Sequence, residues 1–461
     1  MGTKGWLVEE KRFAWQTPRG SRRDVQHVDT PDLLRDIYPY SEVPRIKFDF
    51  VELPPDPPEE IWITDTTFRD GQQARPPYTV QQIVDLFDML HRLGGPNGVI
   101  RKAEFFLYSD KDREAVERCL AKGYKAPEIT GWIRAVPADF KLVKDMGLKE
   151  TGILTSSSDY HTFLKLGKDR EKAMLGYIDL VRTAFEAGLE CVRCHLEDLT
   201  RADIYGFIVP YVQRLMEVAQ EYRKPVWIRL CDTMGYGVPY PWAALPRSVP
   251  KLIQVMIREC GVPKDWLEWH GHNDFHKVLA NGAMAWLYGC ANLNCTLVGF
   301  GERCGNPPLE GAVMEYIGFK GTSNGMDPTV ITEIAEYLQK ECGMPVAANY
   351  PFVGANFNVT MAGIHADGLT KDEEIYNIFD TAKILNRPMG VNVTDKSGVA
   401  GVAFWVNERL GLTGDARLPK NHPGVLKIVE WVDQQYEARR TTAISNEEML
   451  AQVRTHVAEC F

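Results

Sequence analysis

No stretch of this chain is apolar for the ~18 consecutive residues that a bilayer-spanning helix needs, and its first ten residues, Met1 to Glu10, hold no apolar core of the kind a secretory signal requires. Trp6 also breaks the pattern through which Gly2 would direct myristoylation. The sequence therefore reads as that of a cytosolic protein, with no membrane partner. Basic charge is in short supply. Lys and Arg number 53 against 62 Asp and Glu, a formal net charge of −9, which gives no electrostatic reason to expect nucleic acid or anionic lipid as a partner. Cysteine is sparse, 10 in 461 residues, without the spacing of a disulfide framework. The one C-x-x-C, Cys191 and Cys194, falls in an alternating run that reads as a strand, where residues three apart face opposite ways and cannot form a metal knuckle. Free buried thiols in a reducing compartment are expected. No Gly-x-Gly-x-x-Gly follows the first strand, which argues against a dinucleotide-binding open sheet.

What is present is ordinary globular material: 44% hydrophobic and 25% charged residues exclude extensive disorder. Residues 1–60 read as an N-terminal extension ending in a stiff connector, with Pro54, Pro55, Pro57 and Pro58 too close together for a helix or a central strand. From Ile61 a regular alternation begins. Strands are predicted at 61–67, 101–108, 128–134, 151–157, 191–197, 225–231, 266–271 and 295–300. Helices are predicted between and after them at 79–93, 111–122, 139–146, 168–187, 203–222, 248–260, 276–289 and 308–317. In the first of these, Ile83, Leu86, Phe87 and Leu90 form one apolar stripe. Eight strand–helix repeats point to a closed (β/α)8 barrel over 61–320. The remainder, 321–461, is predicted as a mostly helical C-terminal subdomain with loops at 343–358 and 386–401.

Strand parity locates a site. Barrel interiors are normally filled by branched apolar residues, yet one face of each of several strands carries charge. Glu104 shares a face with Phe106 and Tyr108; Arg193, His195 and Glu197 share another; Trp227, Arg229, Cys231 and Thr233 a third; His270 and His272 a fourth. Trp132 and Arg134 lie opposite Ile129 and Ile133. Charged groups are rarely buried unless paired, hydrogen-bonded or metal-bound, so five strands converging in this way mark an active site at the C-terminal mouth. Arg193 and Arg229 lie deeper, and pair inside the barrel or reach the mouth. His270 and His272, two apart on a strand, point the same way about 6–7 Å apart, a spacing suited to one ion. Asp70, just beyond the first strand, is at the correct end to complete a two-histidine, one-carboxylate set, because only the eighth strand separates the first from the seventh. That donor set suits Mn2+, Co2+, Fe2+ or Zn2+ better than Mg2+ and leaves positions open for a 2-oxo acid.

Asp65-Thr66-Thr67-Phe68-Arg69-Asp70-Gly71-Gln72-Gln73, the His270-x-His272 pair and Gly299-Phe300-Gly301-Glu302-Arg303-Cys304-Gly305-Asn306 resemble, in the same order along 61–410, the motifs of the DRE-TIM metallolyase family, which includes isopropylmalate, homocitrate, citramalate and Re-type citrate synthases. The resemblance implies that Arg69, Asp70 and Glu104 are the name-giving triad, and that Asp70, His270, His272 and Asn306 hold a divalent cation, with Mn2+ first and Co2+, Mg2+ or Zn2+ as alternatives. It implies an acyl-CoA site in the loop of Gly299, Gly301, Glu302 and Arg303, and a catalytic glutamate at Glu197. Thr233 would contact the oxo acid. His365 would be a catalytic histidine placed in the neighbouring subunit's barrel, which makes the chain a homodimer with an exchanged C-terminal region. Pro76-Pro77-Tyr78-Thr79, Gly94-Gly95-Pro96-Asn97-Gly98 and Phe105-Phe106-Leu107-Tyr108 look most like the Re-citrate synthases, which join acetyl-CoA to oxaloacetate. The family departs here in one acidic position, occupied by Gln72, and in a C-terminal tyrosine with no evident counterpart around 386–397. The Gly299–Asn306 loop has the synthase form and not the cysteine-rich form of the lyases, and the stretch beyond His365 is too short for a large leucine-sensing domain.

The expected reaction is a Claisen-type condensation of acetyl-CoA with a 2-oxo acid, oxaloacetate first, followed by thioester hydrolysis to citrate and CoA. Glu197, with His365, is the candidate base. The second carboxylate of oxaloacetate requires a cation, and strand parity offers Arg134 first and His195 second; Gln73 either helps this carboxylate or holds the first loop. The rival readings are a homocitrate or citramalate synthase, a metal-dependent aldolase or lyase that needs no CoA, and a silent barrel kept for binding.

Overall fold

The computed structural model describes residues 20–38, 46–73 and 75–458; the first ten residues, read above for targeting signals, lie outside these. The chain forms two compact units, one ending at Asp327 and the other beginning at Pro328. In the first unit, eight parallel strands close into a barrel in chain order: β1 (Trp62–Asp65), β2 (Ile100–Phe106), β3 (Glu128–Ile133), β4 (Glu150–Ser156), β5 (Cys191–Glu197), β6 (Val226–Asp232), β7 (Leu267–Gly271) and β8 (Asn292–Cys295). β8 pairs with both β7 and β1, so only one strand separates β1 from β7.

The helices that return between strands are α1 (Val80–Gly94), α2 (Asp110–Leu120), α3 (Phe140–Asp145), α4 (Arg170–Glu186), α5 (Val209–Tyr222), α6 (Val249–Arg258) and α7 (Val278–Leu287), with α8 (Leu309–Lys320) following β8. The sequence sets their limits locally. Thr79 and Gln82 form a reciprocal cap at the start of α1, satisfying two of the backbone donors that a helix start leaves over. The stripe Ile83, Leu86, Phe87 and Leu90 is buried against the barrel. α5 starts later than the predicted 203, after a wide turn at Ile204–Ile208, and Pro210 sits in its first turn, where a missing N–H does no harm.

One strand differs from its prediction. The apolar run Leu297-Val298-Gly299-Phe300 was expected inside a strand at 295–300, but β8 ends at Cys295 and the run folds into a tight turn with Val298 at φ 54°. Its backbone is satisfied by side chains in place of a ladder: Leu297 N–H donates to Thr67 Oγ1 (2.9 Å) and Val298 N–H to Glu310 Oε2 (3.0 Å). Composition cannot distinguish such a turn from a short buried strand.

The second unit, taken by itself, contains α9 (Val330–Lys340), α10 (Gly363–Lys371), α11 (Thr381–Leu385), α12 (Gly398–Leu410), α13 (Pro423–Glu437) and α14 (Asn446–His456), with a two-stranded parallel sheet of β9 (Val359–Thr360) and β10 (Gly390–Val391). β10 and the start of α12 fall within the loop predicted at 386–401. Val402, Val406, Val425, Ile428, Met449 and Val453 form its main core. Among the described residues no helix is long and apolar enough to cross a membrane.

Candidate active site

The barrel interior is charged. Glu104 on β2, fully buried, accepts from Arg69 Nε (2.8 Å), Arg229 Nη1 (2.9 Å) and Thr66 Oγ1 (3.1 Å) on one oxygen, while its other oxygen lies 3.4 Å from Arg193 Nη1 and 3.6 Å from His195 Nε2. Glu268 on β7 takes Arg229 Nε (2.5 Å) and Thr64 Oγ1 (2.5 Å) and lies 3.3 Å from Arg193 Nε. Glu150 on β4 pairs with Lys102 and with Arg193. Burial alone would raise the Glu104 pKa, but Arg229, Arg69, His195 and Arg193 outweigh it and hold the group well below the usual carboxylate range. Glu104 is thus a fixed anion, and the deeper arginines pair inside the barrel.

Above this cage stand the three groups of the expected metal set. Ligating atoms of Asp70, His270 and His272 all lie within 4.8 Å of one another, and all three residues are buried. His270 Nε2 is 3.6 Å and His272 Nε2 3.8 Å from Asp70 Oδ2. His270 Nδ1–H donates to Asn294 Oδ1 (2.8 Å), Asn294 Nδ2 donates to Thr64 Oγ1 (3.0 Å), and Thr64 in turn donates to Glu268. This relay fixes the tautomer that leaves His270 Nε2 with its lone pair turned to the site. Burial first, then His272 and Arg69 among its neighbours, bring the His270 pKa down to about 3 in spite of Asp70, so the ring is neutral, as a ligand must be. Asn306 Nδ2 is anchored on Gly271 O (3.0 Å). Asp70 Oδ2 and Asn306 Oδ1 are buried oxygens without a hydrogen-bond partner. Oxygens left in that state are costly unless a cation answers them, so the donor set fits a divalent ion. A β-carbon at Gly301 would lie 1.9 Å from Asn306 Oδ1, so only glycine admits that side chain.

The other predicted residues fall in different places. Arg69 sits beside Asp70, with Nη1 3.4 Å from Asp70 Oδ1 and from Gln73 Oε1. Gln73 is exposed. Gln72 holds the loop instead, donating to Phe68 O (2.6 Å) and accepting from Lys111 Nζ (3.1 Å). His195 is not at the rim: it lies inside the barrel, 3.5 Å from Arg229 Nη1, and burial together with Arg229 holds its pKa well below the ordinary value. A neutral imidazole there cannot supply the positive charge that parity assigned to it. A β-carbon at Gly152 would lie 2.4 Å from its Nε2, which is how β4 makes room for the ring. Arg134 is at the rim and its side chain is 64% exposed, but its guanidinium is clasped by Asp139 at 2.9 and 3.1 Å.

Glu197 ends β5 in a cluster that strand parity did not anticipate. It accepts from Ser156 Oγ (2.6 Å) and Lys165 Nζ (3.0 Å to both oxygens), and His161 Nδ1 lies 2.9 Å away. Burial would raise its pKa, but His161, Ser156 and Lys165 bring it to about 2. Thr233 Oγ1 accepts from Asp198 N–H (2.8 Å). Arg303 ties the Gly299–Asn306 loop to Asp274 (3.0 Å) and to Thr233 O, and Glu302 is exposed. In the second unit, His365 is exposed in the first turn of α10, with Nδ1 3.2 Å from Thr360 Oγ1 and its ring 4.5 Å from that of Tyr376. Tyr376, Asn294, Glu268, His161 and Lys165 were not singled out from the sequence. Even parity on β7 and β8 would have found Glu268 and Asn294; nothing local marks the others.

Cys304 is exposed in that same loop, whereas seven of the other described cysteines are buried and Cys342 is half-buried. A maleimide is expected to inactivate the enzyme by occupying this loop, and Cys304→Ala to retain activity through the same treatment. Inactivation of the variant at the wild-type rate would assign the sensitivity to a different thiol.

An HMGL-like family model matches residues 60–338. A citrate (Re)-synthase of Syntrophus aciditrophicus is 56% identical over 99% of this chain and 72% of its own length, and one of Clostridium kluyveri is 52% identical over 92% and 94%. A 2-phosphinomethylmalate synthase of Streptomyces hygroscopicus is 37% identical over 92% and 96%. Among solved structures, a hydroxymethylglutaryl-CoA lyase of Bacillus subtilis superposes with a TM-score of 0.50 at 19% identity over 64% of this chain and 98% of its own, a likeness of fold alone.

Proposed function

The chain belongs to the HMGL-like family, and on that premise we propose that it is a metal-dependent synthase joining acetyl-CoA to oxaloacetate and releasing citrate and CoA. The observation that carries the chemistry is the buried, unpartnered Asp70 Oδ2 between two imidazoles; the choice of oxo acid rests on the relatives at 56% and 52% identity. Asp70, His270, His272 and Asn306 would hold the cation, for which Mn2+ suits two nitrogens and hard oxygens. When bound, it polarises the carbonyl of the oxo acid as a Lewis acid.

The chain's own residues supply the rest. Arg69, braced by Glu104, donates to the carbonyl oxygen as negative charge grows there, a donor set in place before the reaction begins. A base removes a proton from the acetyl methyl, the carbon so freed attacks the oxo carbon, and water then cleaves the thioester. A carboxylate held at about 2 is a weak base near neutral pH. Glu197 therefore orients the reacting group, and His365, supplied by the second copy of a homodimer, takes the proton. Support for that dimer is the exposed apolar stretch around His365, in which Ile364 is 75% and Ile378 97% exposed beside Met361, Ile375 and Tyr376, a grouping that favours a protein partner. A fully active monomer in sedimentation would remove the exchange. Thr233 meets the oxo acid, and Gly299, Gly301, Glu302 and Arg303 the thioester. Residues 61–320 form the catalytic domain, 1–60 its extension and 321–461 the subdomain that bears His365. A cytoplasmic setting accords with the nine free cysteines among the described residues.

The deciding experiment follows CoA release from acetyl-CoA across a panel of oxo acids. Oxaloacetate is expected to lead; preference for 2-oxoglutarate or pyruvate would assign a homocitrate or citramalate synthase, and no CoA release with any of them would end the synthase reading. Arg134 remains our candidate for the distal carboxylate, exchanging Asp139 for the substrate. Because Arg134 is exposed and its charge is screened by water, Arg134→Leu should raise KM for oxaloacetate only several-fold and leave pyruvate unchanged. An equal loss for both would confine Arg134 to its ion pair with Asp139.

A further inference from the structure

The extension that precedes the barrel touches its catalytic mouth. Beyond the C-terminal end of β4, Asp159 is buried and accepts Arg170 Nε and Nη2, both at 2.8 Å, and its Oδ2 also accepts Asp32 N–H at 2.8 Å. Tyr160, the next residue, donates its hydroxyl to Leu33 O at 2.6 Å. Its ring has Arg35 5.9 Å away and Arg201 4.2 Å away. Beyond β5, Thr200 O accepts the hydroxyl of the buried Tyr38, whose ring lies 5.7 Å from that of Tyr236 in the loop after β6. Three consecutive loops of the mouth are therefore joined by one segment that belongs to none of them.

These contacts lead to the reacting side chains. The turn begun by Tyr160 carries His161 and Lys165, two of the three groups that hold Glu197. Ser157 Oγ and Ser157 N–H both donate to Glu197 O, at 2.6 and 2.9 Å. Thr200 Oγ1 donates to Asp232 Oδ1 (2.8 Å), the neighbour of Thr233, while Thr233 Oγ1 takes the Asp198 N–H. Loops are the mobile part of a barrel, and a misplacement of about 1 Å in a reacting group can lower a rate 100-fold.

We propose that residues 32–38 are a positioning brace for the oxo-acid side of the mouth, holding the Tyr160–Lys165 and Asp198–Arg201 turns so that Glu197 and Thr233 stand in register; this rests on reading the mouth as the synthase site. Tyr38 and Tyr160 act through their neighbours and touch no substrate. The test uses the full-length chain with Tyr38→Phe and, separately, Tyr160→Phe, each of which removes one hydroxyl and keeps the ring. One hydrogen bond contributes about 1 kcal/mol, so KM for oxaloacetate should rise about fivefold in each variant while KM for acetyl-CoA stays within twofold. Amide hydrogen exchange over 156–165 and 197–201 reads the brace without turnover and should quicken in both variants. Equal changes in the two KM values, or unchanged exchange in a folded variant, would overturn the brace. Quickened exchange in both variants, together with a wild-type chain that releases no CoA, would instead keep the brace and fail the synthase reading.

Discussion

Asp70→Ala is expected to strip the divalent cation and abolish citrate formation together. Asp70 is the only anion among the four candidate ligands, and its buried Oδ2 is the atom that both imidazoles face. Without it, two neutral rings and an amide must hold a dication among buried side chains, where unanswered charge is expensive. If the lost ion supplied about 4 kcal/mol of charge stabilisation at the carbonyl, turnover falls about a thousandfold, at 1.36 kcal/mol for each factor of ten. Elemental analysis of the purified protein and the rate of CoA release give the two readouts. Wild-type turnover in a metal-free variant would refute the site. Metal retained with turnover lost would leave the ion in place and move Asp70 to another role. His272→Ala should reproduce the result, since its Nε2 faces the same oxygen.

Arg229→Met should produce the largest loss of stability. Arg229 is fully buried, donates to Glu104 and Glu268, and has its own pKa raised, because those carboxylates overcome the penalty of burial. Removing it leaves two carboxylates beneath the metal set with one cation fewer, and breaking a buried pair in this way costs about 3–5 kcal/mol. The expected measurement is a clear fall in the denaturant midpoint of the barrel transition. Arg229→Met combined with Glu268→Gln should recover part of the loss, because the second change removes one of the stranded charges. A single variant as stable as wild type would mean that the cage admits water or a proton. Glu104 would then be free to change its charge, and the account of Arg69 as a braced donor would fail with it.

How much of this was legible beforehand depended on the range of the signal. The β2, β5 and β6 faces were correctly read as turned inward, and Glu104, Arg193 and Arg229 lie on them. The same reading placed a charged His195 at the rim, where the structure has a neutral ring beside Arg229. It offered Arg134 to the distal carboxylate with a surface ion pair as the other reading, and the structure pairs it with Asp139 five residues on. Both outcomes have one cause: parity says which way a side chain points, not how deep it sits or what else has arrived there. The displaced end of β8 arose similarly, since Thr67 and Glu310, which satisfy the backbone of that turn, come from elsewhere in the chain.

Residue order alone determined the alternation of strands and helices, the inward faces and the pairing of His270 with His272, because periods of 2 and 3.6 and an i, i+2 spacing are local properties of a backbone. Folding in three dimensions decided which charges meet. Glu104 finds Arg229 across 125 positions of sequence, and Asn294 reaches His270 only because β8 closes against β7. Such partners are chosen by strand register and barrel closure, which depend on the packing of the whole unit and leave no mark in any short window of residues.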